Sequence, residues 1–211
     1  MKEMKRMGTM MRMVILLLAL FVAQSACTRK LKPAVPAQDD YVLVFSDEFN
    51  GKNGSQTDTA KWNRHERVNS RWSRWISDVD KVVYIKNGRL ICRAIPNKIA
   101  PSDTAKMLTG AINTRGKFFF QYGKVEVRMR TNMLRGNFPA AWMRPQPQRG
   151  QPYAEIDIME SFGTRREATH TAHTQLTQDN KKHGEKNSFR IPLDIRKWHV
   201  YSIEWDEKQI S

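Results

Sequence analysis

Glu155, Asp157 and Glu160, three carboxylic acids within the run AEIDIMESFG, are the side chains of this chain best spaced to do chemistry together. On a regular β-strand successive side chains alternate faces, so Glu155 and Asp157 share one face with Met159 while Glu160 turns away with Ile156 and Ile158. A single β-bulge between Asp157 and Glu160 sets one extra residue against the partner strand and returns Glu160 to the face of the other two. The Cα atoms of Glu155 and Glu160 are then on the order of 13 Å apart, and inward-leaning side chains close much of that gap. Two carboxyl groups roughly 5 to 5.5 Å apart can serve as nucleophile and proton donor at a glycosidic bond, with retention of configuration. The competing reading is a solvated acidic strand face. Against it stand the interleaved Ile156, Ile158 and Met159, which suit a sheet interior, where a carboxylate is costly to bury unless it is used or paired.

A metal site built from the same acids would want a histidine, and none lies at ligand spacing within the strand. His170 and His173 in HTAH are three apart, which puts them on opposite faces of a strand and disfavours a two-histidine site. Trp142 in FPAAWMRP falls on a segment expected to pair beside the acidic strand, where an indole is either a platform for a pyranose ring or a core residue. Phe138 and Arg144 are weaker candidates of the same kind. Trp72 and Trp75, with Arg71 and Arg74, stand in the loop-like run SRWSRWIS.

The elements that must position these groups read as short strands broken by turn residues. From Tyr41 onward they are VLVF, VVYI before KNG, RLICRAI, LTGAINT, KVEVRMR, FPAAWM, EIDIMES, THTAHTQL and HVYSIEW. Val125, Val127 and Met129 share one face of KVEVRMR, and Tyr201, Ile203 and Trp205 form the apolar face of HVYSIEW. Cys92 alternates with Leu90 and Ala94 and reads as a core strand position. No amphipathic helix interrupts the series, and such a run of strands predicts an all-β sandwich.

The 211 residues, 40% of them hydrophobic, suffice for one domain with a packed core. The net charge is +15, of which Lys2, Lys5, Arg6 and Arg12 less Glu3 give +3 in the first 27 residues, leaving +12 for the remainder. That excess favours an anionic partner or is a solvated basic surface. Nucleic acid is a poor fit, because the charges are scattered and no recognition helix, zinc pattern or RNA-binding signature is present. The basic start, the apolar run Met13 to Ala23 and the small residues ending at Cys27 read as a signal peptide, too short to span a bilayer comfortably. Residues 28–40, with Lys30, Lys32, Pro33 and Pro36, read as a tether. Cys27 and Cys92 are the two cysteines, which leaves no internal disulfide expected in the mature chain.

EIDIME, preceded by NFPAAWMRP and by DEFNG near the start, resembles the laminarinase-like branch of glycoside hydrolase family 16, over about residues 41 to 211. The resemblance implies a concanavalin A-like β-jelly roll with a concave sugar cleft, with Glu155 as nucleophile, Glu160 as general acid/base and Asp157 between them, hydrogen-bonding Glu155. It implies a retaining endo-β-glycanase acting on β-1,3- or β-1,3-1,4-glucan. A galactanase for agar, porphyran or carrageenan, a transglycosylase and a non-catalytic sugar-binding jelly roll are the alternatives. His173 matches a position close to the acid/base, where it bonds substrate or Glu160, or is structural. Trp142, Trp72 and Arg144 are the substrate-binding candidates. The asparagine and glutamate that follow a tryptophan in typical glucanases are not matched around Trp72. No cofactor is called for, and a structural calcium ion has no evident ligand run. The leader resembles a bacterial lipoprotein signal, with Cys27 lipidated and the enzyme held on a membrane in the periplasm or at the cell surface. Gln24 stands where an aliphatic residue is usual. Compared with the family pattern the chain reads as truncated after IEWDEKQI, with the jelly roll incomplete at its C-terminus and expected to be unstable in isolation.

Overall fold

The computed structural model describes residues 41–180 and 187–211. The expected leader, the lipidated Cys27 and the tether 28–40 lie outside the described residues, as do residues 181–186.

Among the described residues, twelve strands follow in chain order. They are β1 (Asn63–Arg64), β2 (Val83–Ile85), β3 (Leu90–Cys92), β4 (Ala94–Pro96), β5 (Met107–Thr109), β6 (Ile112–Asn113), β7 (Gly123–Met129), β8 (Ala140–Met143), β9 (Ala154–Glu160), β10 (Glu167–Thr174), β11 (Ser188–Pro192) and β12 (His199–Trp205). One short helix, α1 (Gln175–Asn180), follows β10. Four strands form an antiparallel sheet in the order β11-β10-β9-β8, and β12 pairs with β7 in full register from His199↔Met129 to Trp205↔Gly123.

Period-two patterning explains how the two layers meet. Along β7 the side chains of Val125, Val127 and Met129 turn inward, and along β12 Tyr201 and Ile203 do so, each 5% exposed. They close over Ile158, Met159, Ala168 and Ile195 from the other side. Fully burying a side chain of this size is worth about 1.5 to 3 kcal/mol, so this cluster fixes which face of β9 is left free for chemistry.

The bulge foreseen in β9 lies where the sequence needs it. Asp157 pairs with Trp142 on β8 and Thr171 on β10, whereas Glu160 pairs with Ala140 and Thr169. Three steps along β9 are therefore matched by two on each neighbour. Directly opposed residues share a face, and Thr169 and Thr171 are two apart, so Asp157 and Glu160 point the same way. Ile158 and Met159, the consecutive residues inside the offset, are both buried, at 2% and 0% exposure.

Several local expectations are corrected. VLVF carries no strand: Val42, Leu43 and Val44 are exposed, and among the described residues no ladder partner reaches them. LTGAINT is two strands, broken at Gly110, where a Cβ would sit 2.1 Å from the carbonyl oxygen of Val82. The strand THTAHTQL stops at Thr174, and Gln175 and Leu176 open α1. Cys92 is exposed, because β3 ends there and its apolar alternation has no continuation. Strand β11 was not anticipated, since Phe189 and Ile191 alternate with Ser188 and Arg190 over too short a run to stand out.

Candidate active site

Register assigns the members of the site. His173 opposes Glu155, Thr171 and Trp142 oppose Asp157, and Thr169 and Ala140 oppose Glu160. All of these therefore face one side of the sheet, away from the core cluster. The three acids of the sequence motif are thus gathered on one face, with Trp142 beside the middle one. His170, on the opposite face of β10, is half-buried and stacks on the exposed Phe189 with ring centroids 5.0 Å apart, away from the acids.

The two outer acids have different surroundings. The Oε2 atom of Glu155 accepts a hydrogen bond from the Tyr153 hydroxyl at 2.8 Å and lies 3.5 Å from Nε of Arg144. The Arg144 guanidinium in turn rests 4.8 Å from the centre of the Tyr153 ring. A hydroxyl donor and a cation together fix the orientation of that carboxylate. Burial and the Glu155 carboxylate push the Tyr153 hydroxyl up to about 12, so it stays a donor. Among the described residues, Glu160 has no such cation pair. Burial, and then the negative charge of Asp157, raise its affinity for a proton well above the ordinary carboxylate range, and the positive potential of His173 partly offsets this. Asp157, 2% exposed, is raised as well, by burial and then by Glu155. Two close acids, one buried and one half-buried, cannot both ionise cheaply, so the pair retains a proton at a pH where isolated carboxylates have lost theirs.

Asp157 is tied on its other side to His173, whose Nε2 lies 2.9 Å from Oδ2. His173 is expected to bond Glu160 or substrate, and the bond the structure shows is the one to Asp157. A histidine does come within ligand distance of the acids, supplied by the neighbouring strand and not by β9 itself. Ligand-type atoms of Glu155, Asp157 and His173 lie within 4.8 Å of one another. Those atoms are engaged by Tyr153, by Arg144 and by each other, which is the pattern of a proton-handling network.

Trp142 and Trp72, separate in sequence, meet edge to face at 5.6 Å, and His65 packs against Trp72 at 5.0 Å. Trp72 is 41% exposed, so it offers ring surface to a ligand. Trp75 instead lies under Arg74 at 4.8 Å. At the Glu160 end, Phe138 stacks on Phe162 at 4.8 Å, both partly exposed. Asp47, in the DEFNG run, accepts from Trp62 Nε1 at 2.8 Å and has a structural role. Tyr153 and His65 were missed. Tyr153 could have been found by counting two residues back from Glu155 on the same strand face; His65 had no such signal.

Residues 69–211 match glycosyl hydrolases family 16. The chain belongs to that family. It is 30% identical over 189 residues to the keratan-sulfate endo-1,4-β-galactosidase of Sphingobacterium multivorum, across 88% of this chain and 44% of that one. It is also 30% identical over 216 residues to the β-glucanase of Rhodothermus marinus, across 97% of this chain and 72% of that one. The X-ray structure of the laminarinase from Rhodothermus marinus superposes with a TM-score of 0.68 at 29% identity, covering 80% of this chain and 69% of that one. The family 16 fold shared with that laminarinase is the β-jelly-roll sandwich, and β9 is one of its inner strands. The chain thus spans less than half the length of the galactosidase and about seven-tenths of the two glucanases.

Proposed function

We propose that this family 16 chain is a retaining endo-β-glycanase that hydrolyses β-1,3- or mixed β-1,3-1,4-glucan by double displacement. The observation that carries the reading is the contrast between Glu155, held by Tyr153 and Arg144, and Glu160, half-buried against the buried Asp157. Glu155 attacks the anomeric carbon while Glu160 gives its proton to the departing glycosidic oxygen, and a covalent glycosyl ester forms. Glu160, now ionised, takes a proton from water, whose oxygen attacks the same carbon and releases Glu155. Asp157 keeps the proton on Glu160 before the first step by its charge, and His173 fixes Asp157. No cofactor takes part in either step.

The roles are separable by experiment. On an activated aryl glycoside, Glu160→Ala should still form the glycosyl-enzyme and regain turnover with azide, whereas Glu155→Ala should form none. The first product, followed by proton magnetic resonance, should be the β anomer; an α anomer appearing first removes double displacement.

A second reading within the same chemistry is a β-galactanase. It is favoured by the keratan-sulfate relative, as similar in identity as the β-glucanase, and by the unmatched residues after Trp72. Laminarin, lichenan, agarose, carrageenan and keratan sulfate assayed side by side decide between the two. A non-catalytic sugar-binding role would leave the Glu155 and Glu160 arrangement without a use, and it predicts binding with no products on any of these polymers. The sequence around Cys27 supports lipid attachment and a membrane-held enzyme facing an extracytoplasmic space. Cys27→Ser should then release the protein from the membrane fraction, and unchanged fractionation overturns the anchor.

A further inference from the structure

The outer face of the β7–β12 layer carries a feature that the catalytic reading does not use. Arg128, in β7, Arg130, directly after it, and Arg89, in the β2–β3 turn, all bring their guanidinium carbons to one indole, that of Trp198. The distances to the ring centre are 4.5, 5.2 and 5.3 Å. Arg128 and Val200 oppose each other in the ladder, on the face away from the core residues Val125, Val127, Met129, Tyr201 and Ile203. Because the acids of β9 face away from the same core, this cluster and the catalytic face lie on opposite sides of the sandwich.

Three like charges around one ring repel one another, and the ring's quadrupole offsets that only in part. Several other cations of the protein do have carboxylate partners. Lys124, farther along the same face of β7, has Glu126 at 3.0 Å and Glu204 at 3.8 Å, Arg67 has Asp103 at 2.6 Å, and Arg196 has Asp194 at 2.8 Å. Among the described residues, Arg89, Arg128 and Arg130 have no carboxylate partner and no side-chain hydrogen bond, which leaves three planar forks of N–H donors open.

We propose that Arg89, Arg128, Arg130 and Trp198 form a second carbohydrate site, for a polysaccharide bearing sulfate esters, on the side of the sandwich away from the catalytic acids. A guanidinium fork matches two oxygens of a sulfate group, and the Trp198 ring beneath holds the three forks together by cation–π contact. A membrane surface fits less well, because Trp198 is half-buried beneath the guanidiniums and cannot project into lipid. Nucleic acid fits less well too, because this is one cluster and not a stripe that could follow a backbone. Under the galactanase reading of the catalytic face, on which this advantage rests, a long sulfated chain held here is kept near that face at high effective concentration.

The test uses the full chain carrying Glu155→Gln, so that its outcome is independent of hydrolysis. Retardation in gels containing dextran sulfate is compared with gels containing uncharged dextran, and sedimentation is followed with vesicles of phosphatidylglycerol and phosphatidylcholine. Arg89→Ala, Arg128→Ala and Arg130→Ala together should weaken dextran sulfate binding by about tenfold or more. A control that removes the same charge from exposed positions, Lys52→Ala, Arg135→Ala and Arg149→Ala, should weaken it by less than about threefold. Should the triple patch variant fail to fold, Arg89→Gln, in an exposed turn, should alone weaken binding by about threefold with an unchanged melting temperature. Equal losses in patch and control variants, equal retardation by uncharged dextran, or loss of vesicle binding alone would each overturn the proposal.

Discussion

His173 reaches diagonally across the sheet: its Nε2 lies 2.9 Å from Oδ2 of Asp157, although the ladder sets His173 opposite Glu155. That diagonal places a potential cation against the acid that controls Glu160. The positive potential of His173 lowers the proton affinity of Glu160, and the negative charge of Asp157 raises it. With Glu160 pushed up to about 7, hydrolysis should fall as pH rises through that value, because the proton donor is being lost. His173→Gln should move this basic limb to higher pH and Asp157→Asn should move it to lower pH, each with about a tenfold or greater loss in kcat. Rate profiles on one soluble oligosaccharide measure both, and shifts in the same direction would break the assignment.

In the proposed mechanism Tyr153 positions Glu155, the nucleophile. Removing its hydroxyl in Tyr153→Phe deletes the 2.8 Å bond to Glu155 while leaving the ring under Arg144. We expect kcat to fall by about ten- to a hundredfold with KM nearly unchanged, since the bond supports a charge used in the transition state. A burst assay with an aryl glycoside should show slower formation of the glycosyl-enzyme. A rise in KM alone would make Tyr153 a substrate contact.

Trp72 and Trp142 touch, yet they differ in depth. Trp72 is 41% exposed, whereas Trp142 stands opposite Asp157 in the ladder. Trp72→Ala should raise KM by about five- to tenfold on long oligosaccharides, with kcat preserved and little effect on short ones. Trp142→Ala should lower kcat as well. Kinetics against a series of chain lengths separate the two, and a length-independent effect of Trp72→Ala would take it out of substrate binding.

Gly110 tests the fold apart from the chemistry. An added methyl group meets the Val82 carbonyl at 2.1 Å, and backbone cannot rotate away as a side chain can. Gly110→Ala should cost about 1 to 3 kcal/mol in chemical denaturation. Wild-type stability in that variant would mean that the β2 and β5 segments are free to part.

The parts of this protein legible in its sequence are those decided by local period. Alternation in β7 and β12 gave the inner residues Val125, Val127, Tyr201 and Ile203. The offset of Glu160 from Asp157 gave the bulge, because two adjacent apolar residues there had to share one interior. What escaped depends on register between distant segments. Nothing in the order of residues says that His173 bonds one acid along from its partner, that Trp72 lands against Trp142, or that Arg89 joins Arg128 and Arg130 around Trp198. VLVF failed for the complementary reason: an apolar alternating run becomes a strand only if another backbone supplies its ladder.

The bulge in β9 also makes the gap between nucleophile and proton donor a quantity that changes only in whole steps. A ladder slips by entire residues: losing Ile158 or Met159 would remove the bulge and leave Asp157 and Glu160 on one face by plain alternation, still opposite Thr171 and Thr169, with no fractional step in between. Fine adjustment is left to side-chain length, one methylene at a time through Glu→Asp. Refitting this protein to a different sugar is therefore work for the loops that carry Trp72 and Phe162, which can be rewritten without touching the ruler.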